Sequence, residues 1–186
     1  MSASTALLLV DVIDAFFVPT GSLHYPAAAD VVLPLRALLD TARDRDRLVV
    51  HAVERHYPGL VDFEHHRIPP HCAIDSADAR YFAGFAPAAG RDREVEVPKR
   101  RYSAFFATDL DLLLREQGIE EVVVAGVKTN VCIRATVQDA FASGYHVVVP
   151  RQATNSNRAH LAEASLEDID RYFGRVVDID DVLGTL

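Results

Sequence analysis

The chain has 186 residues with 19 Lys and Arg against 27 Asp and Glu, a formal net charge of −8. That length suits one domain, residues 1–186, with a sizeable core, and the acidic balance excludes a general nucleic-acid binder, which needs a basic surface to meet phosphates. The apolar run before Asp11 is short and lacks a basic start, so no signal peptide or membrane span is expected. Two cysteines, Cys72 and Cys132, make no disulfide framework, and a reducing cytoplasm is the expected location.

Strand-like runs alternate with helix-like patterns along the chain. Strands are predicted at 6–12, 48–53, 94–97, 121–126, 146–149 and 175–178. Most are continuous apolar runs, as strands buried on both faces require; 94–97 is short and alternating. Val31, Leu35, Leu38 and Ala42 recur at helical spacing, widened by Val32 and Leu39, with Pro34 confined to the first turn. Thr108 and Asp111 resemble a capping box ahead of LDLLLREQ, and Gly118 is a natural stop. A helix over 130–142 is expected to bury Ile133, Val137, Ala140 and Phe141; one over 159–173 aligns Ala162, Leu166, Ile169 and Phe173. The order implies an α/β fold: a single doubly wound domain whose central, mainly parallel six-stranded sheet carries helices on both faces. Residues 54–85 break the rhythm. Rich in His, Pro and aromatic residues, this stretch reads either as a lid or pocket wall or as an interface segment, with His65 and His66 on a wet loop surface.

Three reactive residues fall at or just past the ends of predicted strands: Asp11, Lys99 and Cys132. Open α/β sheets collect their ligands at that edge. A carboxylate, an ammonium and a thiol gathered there make a base, a charge stabiliser and a nucleophile. Cys132 falls in the first turn of the 130–142 helix, where unpaired amide N–H groups favour a thiolate. Taken singly, each residue is ordinary: a turn-capping Asp, a solvated Lys, a small buried Cys. Phe16 and Tyr102 are candidate walls for a flat small amide. Neither GxGxxG after a strand nor GxxxxGK[ST] is present, so nucleotide binding is not expected.

The segments DVIDAF from Asp11, KRRYSAF from Lys99 and GVKTNVC ending at Cys132 together resemble the isochorismatase-like cysteine hydrolases. That superfamily includes nicotinamidases, carbamoylsarcosine and ureidoacrylate amidohydrolases, and biuret hydrolases. The resemblance runs from Leu7 to about Val182 and implies a catalytic triad of Asp11, Lys99 and Cys132. It also implies a cis peptide at Val127–Lys128 and an oxyanion hole from the backbone N–H groups of Lys128 and Cys132. Ile13 and Asp14 stand where Gln-Asn is common, Lys128 where Ala is common, and Asn130 where Asp is common.

The implied activity is cysteine-dependent hydrolysis of a small amide, ureido or carbamoyl C–N bond through a thioester, in a homodimer or homotetramer. Vinyl-ether hydrolysis of the isochorismatase type is the enzymatic alternative, and a noncatalytic small-molecule binder on the same fold is the other. Nicotinamidases of this superfamily hold a divalent ion through Asp-x-His and a later His before Cys. Here Glu54-Arg55-His56 and His71-Cys72 stand at similar places, with Glu replacing Asp. The expectation adopted is a site with no metal and no cofactor. Lys128 and Arg134, near the thiol, suit an acid-bearing amide or, equally, a place facing solvent or a neighbouring subunit.

Overall fold

A computed structural model describes residues 4–186. Strand β1 (Thr5–Val10) and strand β2 (Leu48–Glu54) are buried along their whole length, because the sheet is covered on both sides. The other strands are β3 (Glu94–Lys99), β4 (Glu121–Val127), β5 (His146–Pro150), β6 (Thr154–Asn155) and β7 (Arg175–Val177). Their order is β3-β2-β1-β4-β5-β7, and every ladder is parallel. The six expected strands form that path. The two-residue β6 pairs with β4 beside it as a seventh.

Side-chain alternation assigns the two covering layers. Leu7, Leu9, Val49, Val123 and Val148 point to one face, where they meet Leu35, Leu38, Leu39 and Ala42. Those four residues are the stripe of helix α2 (Val32–Asp44), which follows the short helix α1 (Asp14–Phe17). Ala6, Leu8, Val50, Val122 and Val147 point to the other face. That face carries α3 (Leu110–Glu116), α4 (Arg134–Ala142) and α5 (Ala159–Tyr172) through Leu110, Leu114, Val137, Ala140, Leu166 and Ile169. Helix α6 (Ile179–Thr185) returns to the α2 side through Val182. Pro34 lies in the first turn of α2, where its missing N–H costs no hydrogen bond. No helix among the described residues is long and apolar enough to cross a membrane.

Three local expectations need correction. The Thr108–Asp111 capping box does not form: Thr108 Oγ1 donates to the Ala104 carbonyl at 2.6 Å and accepts from Leu110 N–H, while Asp111 holds Arg115 and the Tyr145 hydroxyl. The helix foreseen over 130–142 opens as a π-type turn, Thr129–Ile133, before α4 begins. Phe141, expected in the core, is 52% exposed and rests edge-on against Phe173.

Candidate active site

The chain reverses direction across the sheet between β1 and β4, and ligand sites of open α/β sheets lie at such a switch point. Asp11 is the first residue beyond β1. It takes φ 56°, a left-handed conformation that Asp tolerates better than most residues, while its N–H still donates to the Ala52 carbonyl. Gly126 sits beside Val10 with φ 123°, and a Cβ there would lie 2.0 Å from the Val10 carbonyl oxygen. The missing side chain lets β4 close on β1 at this edge of the sheet. Lys99 ends β3 in register with Glu54 at the end of β2. The Val127–Lys128 peptide is cis, and the turn that follows carries Cys132.

These elements bring the three reactive residues together. Lys99 Nζ lies 2.8 Å from Asp11 Oδ2 and 3.7 Å from Cys132 Sγ, and the Glu54 N–H donates to Asp11 Oδ1 at 2.9 Å. Asp11, Lys99 and Cys132 are 0%, 1% and 4% exposed, so the group is sealed from bulk water. Burial pushes the Asp11 carboxyl up, against the pull of the Lys99 ammonium. Burial opposes the Lys99 charge, but Asp11, Cys132 and Glu54 outweigh it and Lys99 stays protonated. Burial also raises the Cys132 thiol; Lys99 lowers it, and the Asp11 and Glu54 charges raise it further. The resting sulfur is therefore a thiol. The thiolate-favouring helix start foreseen from the sequence is outweighed by burial between two carboxylates. Cys72 is likewise pushed up by burial and makes no contact with Lys99 of the kind Cys132 makes.

The segment 54–85 starts at this site, with the Glu54 N–H on Asp11. Within it, Glu54 Oε1 approaches His56 Nε2 and His71 Nε2 at 3.4 Å each, and Glu64 Oε1 lies 4.0 Å from His71 Nε2. All of these atoms are buried, and none has an aligned hydrogen bond. The outer ring nitrogens are occupied: His56 Nδ1 faces Asp62 Oδ2 at 3.1 Å, and His71 Nδ1 faces the Pro69 carbonyl at 2.8 Å. Those partners fix tautomers whose Nε2 lone pairs point inward, the arrangement that supports histidine metal ligands. Glu54, His56 and Glu64 donor atoms lie within 4.8 Å of one another, as do those of Glu54, His71 and Cys72. The donors fall into these two overlapping groups, either of which would suit a divalent ion such as zinc.

Without an ion, burial and the neighbouring Glu54 push Glu64 up to about 7, and both histidines are raised by Glu54 despite burial. Asp62 is held down at about 2 despite burial, by the Glu64 N–H, His56 and Arg101. Sequence reasoning missed Asp62 and Glu64. The only signal was Asp62 as the cap of the short helix Phe63–His66, which places Glu64 inward. His65, expected on a wet surface, is half-buried with its ring 5.3 Å from that of His56, whereas His66 is exposed.

Phe16 is buried and Tyr102 half-buried; burial and then the Glu64, Cys132 and Glu54 charges raise the Tyr102 hydroxyl, placing it on the same side as the thiol. Arg134 pairs with Asp168 at 3.0 Å. A cavity lined by Arg55, Tyr57, Arg80, Arg100 and Phe106 among others lies along β3 and includes none of the three reactive residues.

The family model described as the isochorismatase domain matches residues 5–181, and the chain belongs to that family. A maleamate amidohydrolase from Pseudomonas putida is 35% identical over 97% of this chain and 86% of its own length. An isochorismatase-like hydrolase from Alkaliphilus metalliredigens superposes with a TM-score of 0.90 at 31% identity, covering 98% of each chain. A nicotinamidase/pyrazinamidase from Bacillus subtilis gives 0.88 at 28% identity, covering 94% of this chain and 99% of its own. The chain is an isochorismatase-family amidohydrolase, acting on C–N bonds other than peptide bonds.

Proposed function

We propose that this chain hydrolyses a small amide, ureido or carbamoyl compound through a thioester on Cys132. The observation that carries the reading is one buried ammonium, Lys99, touching both Asp11 at 2.8 Å and Cys132 at 3.7 Å. Cys132 Sγ attacks the carbonyl carbon as its proton passes to Asp11, a carboxyl that burial already biases toward the protonated form. The backbone N–H groups of Lys128 and Cys132 receive the oxyanion. As the C–N bond breaks, Asp11 returns the proton to the leaving nitrogen. Water then gives a proton to Asp11 and adds to the thioester carbonyl. The C–S bond breaks, the acid leaves, and the sulfur regains its proton.

Phe16 and Tyr102 flank the substrate. Glu54, His56, Glu64 and His71 would hold a divalent ion that supplies a Lewis-acidic point for a polar substrate atom. The exposed Leu60, Val61 and Phe63 on the 54–85 segment support a homodimer or homotetramer, which light scattering will measure. The two free cysteines suit a cytoplasmic setting.

The test is an ammonia-release screen over nicotinamide, biuret, ureido acids, carbamoyl amino acids, simple amides and maleamate, the substrate in the relative's name. Cys132→Ala abolishes turnover, Asp11→Asn nearly does, and Cys72→Ala has no effect on the chemical step. Intact-mass spectrometry of quenched wild type shows an acyl adduct that Cys132→Ala lacks. Turnover by folded Cys132→Ala at the wild-type rate overturns the nucleophile and favours an acid-catalysed route.

A further inference from the structure

Lys128 is an active-site cation without a counter-ion. It follows β4 and opens the turn that carries Cys132, and its side chain is half-buried. Its ammonium lies 5.7 Å from the Phe16 ring centroid and 5.4 Å from that of Tyr25. Both rings are buried, at 3% and 5% exposure. The Tyr25 hydroxyl is turned to Asn155 Oδ1 at 2.7 Å, so Tyr25 offers Lys128 its ring face and not its oxygen. Lys128 forms no ion pair or side-chain hydrogen bond among the described residues. The other cations nearby are engaged: Lys99 with Asp11, Arg101 with Asp62, Arg134 with Asp168.

An ammonium has three donors and a strong hydration shell, and aromatic faces offset only part of its loss. Burial lowers the Lys128 pKa, while the Cys132 and Glu54 charges act to raise it, which sets the ammonium on the side of the thiol. Its backbone N–H is assigned to the scissile oxygen. Its ammonium stands a whole side chain away from that N–H, so the anion it takes belongs to a remote part of the substrate.

We propose that Lys128 is a specificity-determining residue that binds the carboxylate of an amide-bearing acid, so that the preferred substrates are monoamides of dicarboxylic acids. The proposal rests on the amide-hydrolase reading above and names its substrate class. A carboxylate at the Lys128 ammonium completes its hydrogen bonding, whereas an uncharged amide in its place leaves a half-buried cation unpaired. Such a contact, made far from the reacting carbonyl, is equally strong before and during the reaction. It therefore acts on KM and not on kcat.

The experiment compares malonamate, succinamate and glutaramate with the corresponding uncharged diamides. Binding is measured first, by calorimetry on Cys132→Ala and on Cys132→Ala/Lys128→Met, so that no turnover is needed. At least one monoamide acid binds Cys132→Ala roughly 10- to 100-fold tighter than its diamide, and the Lys128→Met substitution removes that preference. With Cys132 intact, Lys128→Met raises KM for the same acid by a similar factor while KM for the diamide is unmoved. Methionine keeps the stem on the two rings and the backbone N–H in place. Equal binding of acid and diamide, absence of binding by either, or a preference that survives Lys128→Met overturns the proposal. A charge preference in binding with no wild-type turnover leaves the carboxylate site standing and sinks the hydrolase reading instead.

Discussion

Removing the Lys99 charge tests the energetics of the site independently of any substrate. Lys99→Met keeps most of the side-chain volume but leaves Asp11, fully buried, without the ammonium 2.8 Å away. Breaking one partner out of a buried ion pair costs about 3–5 kcal/mol. For a chain of 186 residues that corresponds to a fall in Tm of about 10 °C. The loss is pH-dependent, with a definite sign. The folded-state pKa of Asp11 is raised by burial even with Lys99 beside it, and Lys99 is the largest influence lowering it. Without Lys99 it rises further. A carboxyl whose folded pKa lies above its unfolded value contributes stability that is present below the unfolded pKa and lost as the pH rises through the folded pKa. The deficit of Lys99→Met relative to wild type is therefore largest at neutral and alkaline pH and shrinks on acidification. Urea denaturation of both proteins from pH about 8 to about 5 measures it. Lys99→Met/Asp11→Leu, which removes both charges, recovers most of the loss. A deficit below about 1 kcal/mol, or one that is constant across that range, refutes the reasoning.

Gly126→Ala is expected to cost more than about 3 kcal/mol, because its Cβ meets the Val10 carbonyl at 2.0 Å. Gly59→Ala, also at positive φ but with nothing within 4 Å, isolates the backbone penalty of about 1 kcal/mol in the same denaturation assay. Equilibrium dialysis with elemental analysis is expected to find about one zinc per chain, lost in His71→Ala and weakened roughly 10- to 100-fold in Asp62→Asn. Zinc binding by Glu54→Gln/His71→Ala at wild-type affinity would remove the assignment. His51 is buried against Glu94 at 2.8 Å, and burial lowers its pKa despite that carboxylate. Glu94 is lowered in spite of burial, by Arg43 and His51. Both shifts give stability that is full above the unfolded pKa and lost as the pH falls, first for His51 below about 6.5. His51→Gln accordingly flattens the acid limb of Tm between pH about 6.5 and 5; an unchanged slope contradicts it.

Asp11, Lys99 and Cys132 were legible because strand ends are legible. An apolar run buried on both faces announces itself, and parallel strands fix all of their C-terminal ends to one edge. Asp62 and Glu64 were not, because they lie in a segment with no period, where tertiary packing alone decides which side chain turns inward. Phe141 was misplaced by a single position: Ile133, Val137 and Ala140 keep the expected helical spacing in the core, and Phe141, next to Ala140, falls at the edge of that stripe against Phe173. Strand β6 escaped notice because two residues make no pattern. The engagement of Arg134 with Asp168, and the lack of any such partner for Lys128, required coordinates, since both are simply basic residues near a cysteine in the sequence.

The charge count explains why a sealed sheet edge can host the proposed reaction. Burial drives both Asp11 and Cys132 toward their neutral forms, and Lys99 supplies one positive charge within 2.8 Å of the first and 3.7 Å of the second. Before attack, the negative charge paired with that ammonium sits on Asp11. When the thiol proton crosses to Asp11, the charge moves to sulfur and then to the carbonyl oxygen, while Lys99 remains beside the sulfur. No step adds a net charge to the low-dielectric interior, where an unpaired ion would cost several kcal/mol. A thiolate formed in advance would gain less, because its basicity and nucleophilicity fall together as its pKa falls. Holding the sulfur protonated until attack, beside a carboxyl with a raised pKa, makes the thiolate that then forms strongly nucleophilic and places the acceptor for its proton within the same buried cluster.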